Sequence, residues 1–139
     1  APRVPESPSW IFWDKKDGTT PDDNADGELA WTNLGGPLRS FRHLWRGMLK
    51  ASERTSHRTV PTQKPIALAV WFFARWGSAG DVVVDLFAGS GTTLIACAET
   101  GRVARCIELD PTYCDVIRRR WTRYAKERGL DPGTGALDG

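Results

Sequence analysis

The 139 residues contain only three cysteines, Cys97, Cys106 and Cys114, and no CxxC pair. Neither His43 nor His57 lies close enough in sequence to complete a zinc set, so a metal centre is not expected. The cysteines sit in apolar contexts and read as buried, reduced thiols of a cytoplasmic protein. No apolar run approaches the roughly 20 residues of a membrane span, and no signal-peptide pattern appears. An initiating methionine is also lacking, and the chain opens on the Pro-rich stretch APRVPESP. The expectation is a piece that begins partway through a longer protein, or a processed or engineered start.

What is present suits one soluble globular domain with a real core: 40% of the residues are apolar and 26% charged. The net charge is only +2, yet it is segregated. Residues 14–28 hold six acids against two lysines. Residues 39–64 hold seven Lys/Arg against one acid, and residues 111–128 hold six against two. Two basic blocks suit a polyanion, nucleic acid above all, although a solvated face with no partner has the same composition.

Residues 1–9 read as an extended linker, and residues 131–139 as a polar, flexible Gly-rich tail. WIFWDK and GELAWTN are short aromatic, β-prone runs separated by a Gly/Asp/Pro-rich loop. SFRHLWRGMLK stays open between a helix, on the spacing of Phe41, Leu44, Trp45 and Met48, and a twisted strand. ASERTSHRTVPTQ is polar loop. PIALAVWFFARWG predicts a helix with Pro65 in its first turn and Gly77 at its end. DVVVDLF, continuous and β-branched, predicts a buried parallel strand. A helix closed by Gly101, the strand RVARCIEL and a long amphipathic helix over 111–128 follow. Tyr113, Val116, Ile117, Trp121 and Tyr124 form the inner face of that last helix. Trp71, Trp76 and Trp121 read as core. The fold class is α/β: a Rossmann-like, doubly wound sheet with helices on both faces, expected to be incomplete in this chain.

DLFAGSGTT places a glycine turn between a strand and a helix, where a ligand can approach the backbone. It is not a P-loop, because no Lys follows Gly91. It is not a full dinucleotide fingerprint either: Gly89 and Gly91 are present, but Leu94 stands where a third Gly belongs. A plain tight turn remains nearly as good a reading. About twenty residues on, IELD ends the next strand, and Glu108 is placed to accept ribose hydroxyls. A helix-capping acid is the alternative, which suits Asp110, just before Pro111. Loop and acid together suggest an adenosine-bearing cofactor.

DLFAGSGTT followed by GRVARCIELDPTYCDVIRRRW resembles the S-adenosylmethionine motifs of the amino-group (adenine-N6 or cytosine-N4) DNA methyltransferases. VPTQKP resembles their HPTQKP motif, upstream of the cofactor loop as in the permuted β arrangement. WIFWDK, GELAWTN and SFRHLWRGM resemble phage and prophage members. The resemblance covers roughly residues 10–125. It implies that Asp85, Phe87, Ala88, Gly89, Ser90, Gly91 and Thr92 hold S-adenosylmethionine. Glu108 would take the ribose, and Thr62, Gln63 and Lys64 would close over the methionine end. Val60 stands where the usual His would be. The resemblance further implies residues 10–130 as a partial methyltransferase domain, residues 61–130 being its cofactor half. Residues 10–60 would then be a DNA-facing segment, with Trp13, Asp14 and Lys15 as candidate base-pocket residues, or Trp13 simply in the core. Arg39, Arg42, Arg46, Arg54 and Arg58 are the candidate contacts to double-stranded DNA phosphates.

That family presents its target amine with an Asp/Asn/Ser–Pro–Pro–aromatic motif. None of the nine prolines here is adjacent to another. Asp110-Pro111-Thr112-Tyr113 is explained as cap, first-turn proline and core tyrosine. The expectation is therefore the C-terminal part of a bacterial or phage-encoded methyltransferase, inactive alone. It would be a homodimer, or would lack an N-terminal part or partner chain. The rival reading is a catalytically silent cofactor- or DNA-binding module.

Overall fold

The computed structural model describes residues 9–16, 25–46, 49–53 and 62–134. Residues 1–8 of the linker expected over 1–9, much of the two polar loops, Arg54, Arg58, Val60 and the tail from 135 lie outside them, while Ser9 begins the first strand instead of ending the linker. The chain divides into two units, residues 1–56 and 57–139.

In the first unit the aromatic runs make the strands. β1 (Ser9–Asp14) lies between β2 (Gly27–Thr32), which is antiparallel to it, and β3 (Arg39–Arg42), which is parallel. Alternation along β1 sends Ile11 and Trp13 into the core, at 2% and 4% exposure. β4 (Trp45–Arg46) and β5 (Leu49–Lys50) form a small antiparallel hairpin that pairs Trp45 with Lys50. The strand alternative for SFRHLWRGMLK is thus the one realised. Pairing of Arg39–Arg42 with β1 and burial of Trp45 reward an extended chain, and this tertiary gain outweighs a short helical period.

The second unit is a helix followed by a βαβα run. α1 (Ile66–Trp76) precedes β6 (Val82–Asp85), α2 (Thr92–Glu99), β7 (Val103–Cys106) and α3 (Pro111–Glu127). β6 and β7 pair in parallel, from Val82 against Val103 to Asp85 against Cys106. Asp110 caps α3 by accepting the Thr112 N–H at 2.8 Å, with Pro111 at the first turn. Gly101 closes α2 at φ +66°. Gly77 ends α1 differently from a left-handed cap: its φ is −150°, extended backbone. Here glycine is a matter of space, since a Cβ would stand 3.1 Å from Asp81 Oδ2. Past α3, a 3₁₀ turn (Pro132–Thr134) returns its Pro132 carbonyl to Trp121 Nε1 at 2.9 Å.

The core of this unit joins Ile95, Ala96 and Cys97 of α2 to Val116, Ile117, Trp121 and Ala125 of α3. Tyr113 and Tyr124, expected on the inner face, are only half-buried. Among the described residues, α2 packs on β6 and β7, while Val82, Val84 and Val103 on the opposite face are 61%, 63% and 40% exposed. Helices on both faces are therefore not found among the described residues, and the doubly wound sheet is incomplete, as expected for a partial α/β fold. Trp71 and Trp76 also depart from the core reading. They pack edge to face with centroids 5.5 Å apart, Arg75 lies over Trp71, and no residue of α1 is buried. Among the described residues, no helix is long and apolar enough to cross a membrane.

Candidate functional site

β6 delivers Asp85 to the start of the glycine turn. Its Oδ1 accepts the Phe87 N–H at 3.0 Å and its Oδ2 accepts the Thr93 hydroxyl at 2.5 Å. The carboxylate therefore spans the turn and ties the end of the strand to the start of α2. Gly89 and Gly91 are both left-handed, at φ +54° and +76°. That is backbone which only glycine adopts without strain. The Gly91 N–H donates to the Ala88 carbonyl at 2.8 Å, and the Ala88 N–H to the Ile107 carbonyl at 3.0 Å. The second contact fastens the turn to the end of β7.

Glu108 completes that fastening. Its Oε2 accepts the Gly89 N–H at 2.7 Å and its Oε1 accepts the Asp110 N–H at 3.0 Å. These backbone bonds, from Asp110 and then Gly89, hold the carboxyl below the usual glutamate range. On the other side of the turn, Thr92 donates its hydroxyl to the Lys64 carbonyl at 2.9 Å, which joins the TQKP segment to α2. Gln63 and Pro65 are buried there, while Thr62 and Lys64 are exposed.

Between these pieces lies a cleft of about 360 Å³. It is lined by Thr62, Gln63, Lys64, Pro65, Leu68, Ala69, Phe72, Asp85, Phe87, Ala88, Gly89, Ser90, Thr92 and Thr93. Of the eleven positions singled out for the cofactor, nine line it. Gly91 is buried behind the turn, under Ile117, and Glu108 reaches it through Gly89. Five wall residues were not assigned to the cofactor from the sequence: Pro65 and Thr93, and then Leu68, Ala69 and Phe72 on one face of α1. For the last three, the spacing of one and four positions was the available signal. Arg120, on α3, was not assigned either. Its Nη1 donates to the Ser90 carbonyl at 2.6 Å and to Ser90 Oγ at 2.9 Å.

Residues 9–119 match the DNA methylase family N6_N4_Mtase. The chain belongs to that family. Among solved structures it resembles a Thermus thermophilus protein assigned as a DNA modification methylase and crystallised with S-adenosyl-L-methionine. The two are 28% identical, with a TM-score of 0.51, over 85% of this chain and 52% of that one. The type II methyltransferase M.MthZI of Methanothermobacter thermautotrophicus is 34% identical over 83 residues, 58% of this chain and 23% of its own length. The orphan methyltransferase M.BamHII of Bacillus amyloliquefaciens is 30% identical over 105 residues, 71% of this chain and 40% of its own length. The chain thus spans about half of its solved relative and less of the curated ones.

In the first unit, the positions considered for a base pocket have structural partners. Trp13 is in the core, and its Nε1 donates to the His43 carbonyl at 3.2 Å. Asp14 accepts from Arg42 Nε at 2.7 Å and from the Lys16 N–H at 2.9 Å. Lys15 pairs with Glu28 and stands 4.7 Å from the Trp13 ring centroid. Of the arginines considered for phosphates, Arg39 is exposed at the start of β3, Arg42 is held by Asp14, and Arg46 is half-buried in β4.

Proposed function

We propose that this chain binds S-adenosylmethionine in the cleft and is the cofactor-holding portion of an adenine-N6 or cytosine-N4 DNA methyltransferase. The observation that carries the reading is the Glu108 carboxylate. Its oxygens accept the Gly89 and Asp110 N–H groups, which fixes its direction, and an ionised carboxylate held this way retains acceptor capacity for a ribose hydroxyl. The rest of the cleft fits the remaining parts of the molecule. The left-handed glycines bring backbone close to a ligand, Lys64 and Thr62 offer a cation and a hydroxyl to an amino-acid carboxylate, and Leu68 and Phe72 give an apolar wall. The relative crystallised with S-adenosyl-L-methionine supports the same ligand.

When bound, the cofactor supplies a methyl group on a positive sulfonium. The residues of this chain hold and orient it. Presentation of the base amine belongs to a Pro-Pro motif that the sequence does not contain. A second reading is favoured by the bare face of Val82, Val84 and Val103. In it the base-presenting part is a separate segment or partner chain that covers this face, rather than a homodimer. Double-stranded DNA is the proposed partner of the basic stretch 39–64, through Arg39, Arg42, Arg46, Arg54 and Arg58, with Trp13, Asp14 and Lys15 as the proposed base-pocket residues. A restriction-modification role in the cytoplasm of a bacterium, or of its phage, fits this reading.

Titration of the chain with S-adenosylmethionine in a calorimeter is expected to show one saturable site. No heat up to millimolar ligand sinks the cofactor reading. DNA affinity is expected to fall with salt at a log–log slope of about −0.9 per phosphate contacted. A flat salt dependence would remove the phosphate contacts.

A further inference from the structure

We infer that Arg120 is a positioning residue for the ligand-holding turn, an inference that rests on the cofactor reading above. Arg120 lies thirty residues from Ser90, at a position of α3 to which the cofactor motifs assign no role. The half-buried side chain crosses from α3 to the turn and donates to both Ser90 acceptors, with Thr92 Oγ1 at 3.5 Å. The consequence lies in the Ser90–Gly91 peptide. Arg120 holds its carbonyl, while its N–H donates to the Ala88 carbonyl at 2.8 Å. The plane is pinned at both ends, next to a glycine at φ +76°. Without the guanidinium, one end is free, and a peptide beside glycine has low barriers to reorienting. The hold extends further, because Thr92 in turn donates to the Lys64 carbonyl. One cation therefore links α3, the turn and the TQKP segment, three pieces that must keep their spacing for the cleft to exist. All three contacts come from one nitrogen, Nη1, in a charge-assisted bond that the shorter Lys side chain would supply only in part.

The test is binding of S-adenosylmethionine by the chain, with the thermal midpoint measured alongside. Arg120→Met is expected to weaken binding about tenfold while moving the midpoint by only a few degrees. Arg120→Lys is expected to recover part of that loss. Millimolar methylguanidinium should recover part of it for the Met variant and leave the unmodified chain unchanged. Unmodified affinity in Arg120→Met overturns the inference. So does a loss that neither Lys nor methylguanidinium relieves, which would mark a purely structural role. If the Met variant fails to fold, Arg120→Ala, which keeps a good helix former, carries the test: affinity equal to that of the unmodified chain would overturn the inference. Absence of binding by the unmodified chain is a different result, because it removes the cofactor reading itself.

Discussion

Glu108→Ala is expected to weaken S-adenosylmethionine binding by roughly 10- to 100-fold, the loss that follows when a charged acceptor of two hydrogen bonds disappears. The variant removes two things at once. It takes away the proposed ribose acceptor, and it releases the Gly89 N–H from its 2.7 Å bond. Glu108→Gln separates them poorly, for a reason the geometry supplies. Both carboxylate oxygens face backbone N–H groups, so whichever way the amide turns, its NH₂ meets another donor. Gln should therefore behave like Ala. The pH dependence gives the cleaner check. Backbone bonds lower the Glu108 pKa from its ordinary 4.5. The ionised form, with the binding and stability it supports, is thus fully present above that value. Both are lost only as the pH falls below it, through the depressed folded-state value. Affinity that declines already between pH 7 and 5 would point to another group. Gly91→Leu attacks the same turn through its backbone. A side chain at φ +76° costs about 1–2 kcal/mol, and its Cβ would lie 3.1 Å from Ile117 Cγ2, so both fold and binding should suffer. Affinity unchanged in both variants would refute the site.

How far this site was legible in the sequence depended on whether its contacts were local. The turn was readable because strand, glycines and helix follow one another, and the two glycines do sit at left-handed positions. Asp110 and Pro111 announced the start of α3 in two adjacent letters, and the cap is there. The bonds that lock the turn were not readable. Glu108 reaches back nineteen residues to Gly89, and Arg120 thirty to Ser90. Arg118, Arg119 and Arg120 look alike in the sequence. Only the third falls three residues after buried Ile117 and beside buried Trp121, and it is the one turned inward. α1 misled for a complementary reason. Its apolar richness promised a core position, but composition does not say what covers a helix, and Trp76 remains 37% exposed.

This chain alone, incubated with DNA and S-adenosylmethionine carrying a tritiated methyl, is expected to transfer no label above background. Direct transfer needs an acceptor that aims the base amine at the methyl group, and an aromatic face to hold the flipped base. The one tempting substitute is already committed. Asp110 accepts the Thr112 N–H, Pro111 begins the helix, and Tyr113 is half-buried within it. A covalent route through sulfur is also disfavoured. Burial, then the Asp85 charge, pushes the Cys106 thiol up to about 11, and burial raises Cys97 as well, so neither is a thiolate at neutral pH. The deficiency should be reparable from outside. A polypeptide that carries a Pro-Pro motif and covers the face of Val82, Val84 and Val103 is expected to restore label transfer when mixed with this chain. Val84→Asp, on a side chain that is 63% exposed, should abolish that restoration while leaving cofactor binding intact. Restoration that survives Val84→Asp would move the joint elsewhere. Transfer by the unaided chain would place the amine acceptor among its own residues, and loss of that transfer in Asp110→Ala would then make Asp110 catalytic rather than a cap.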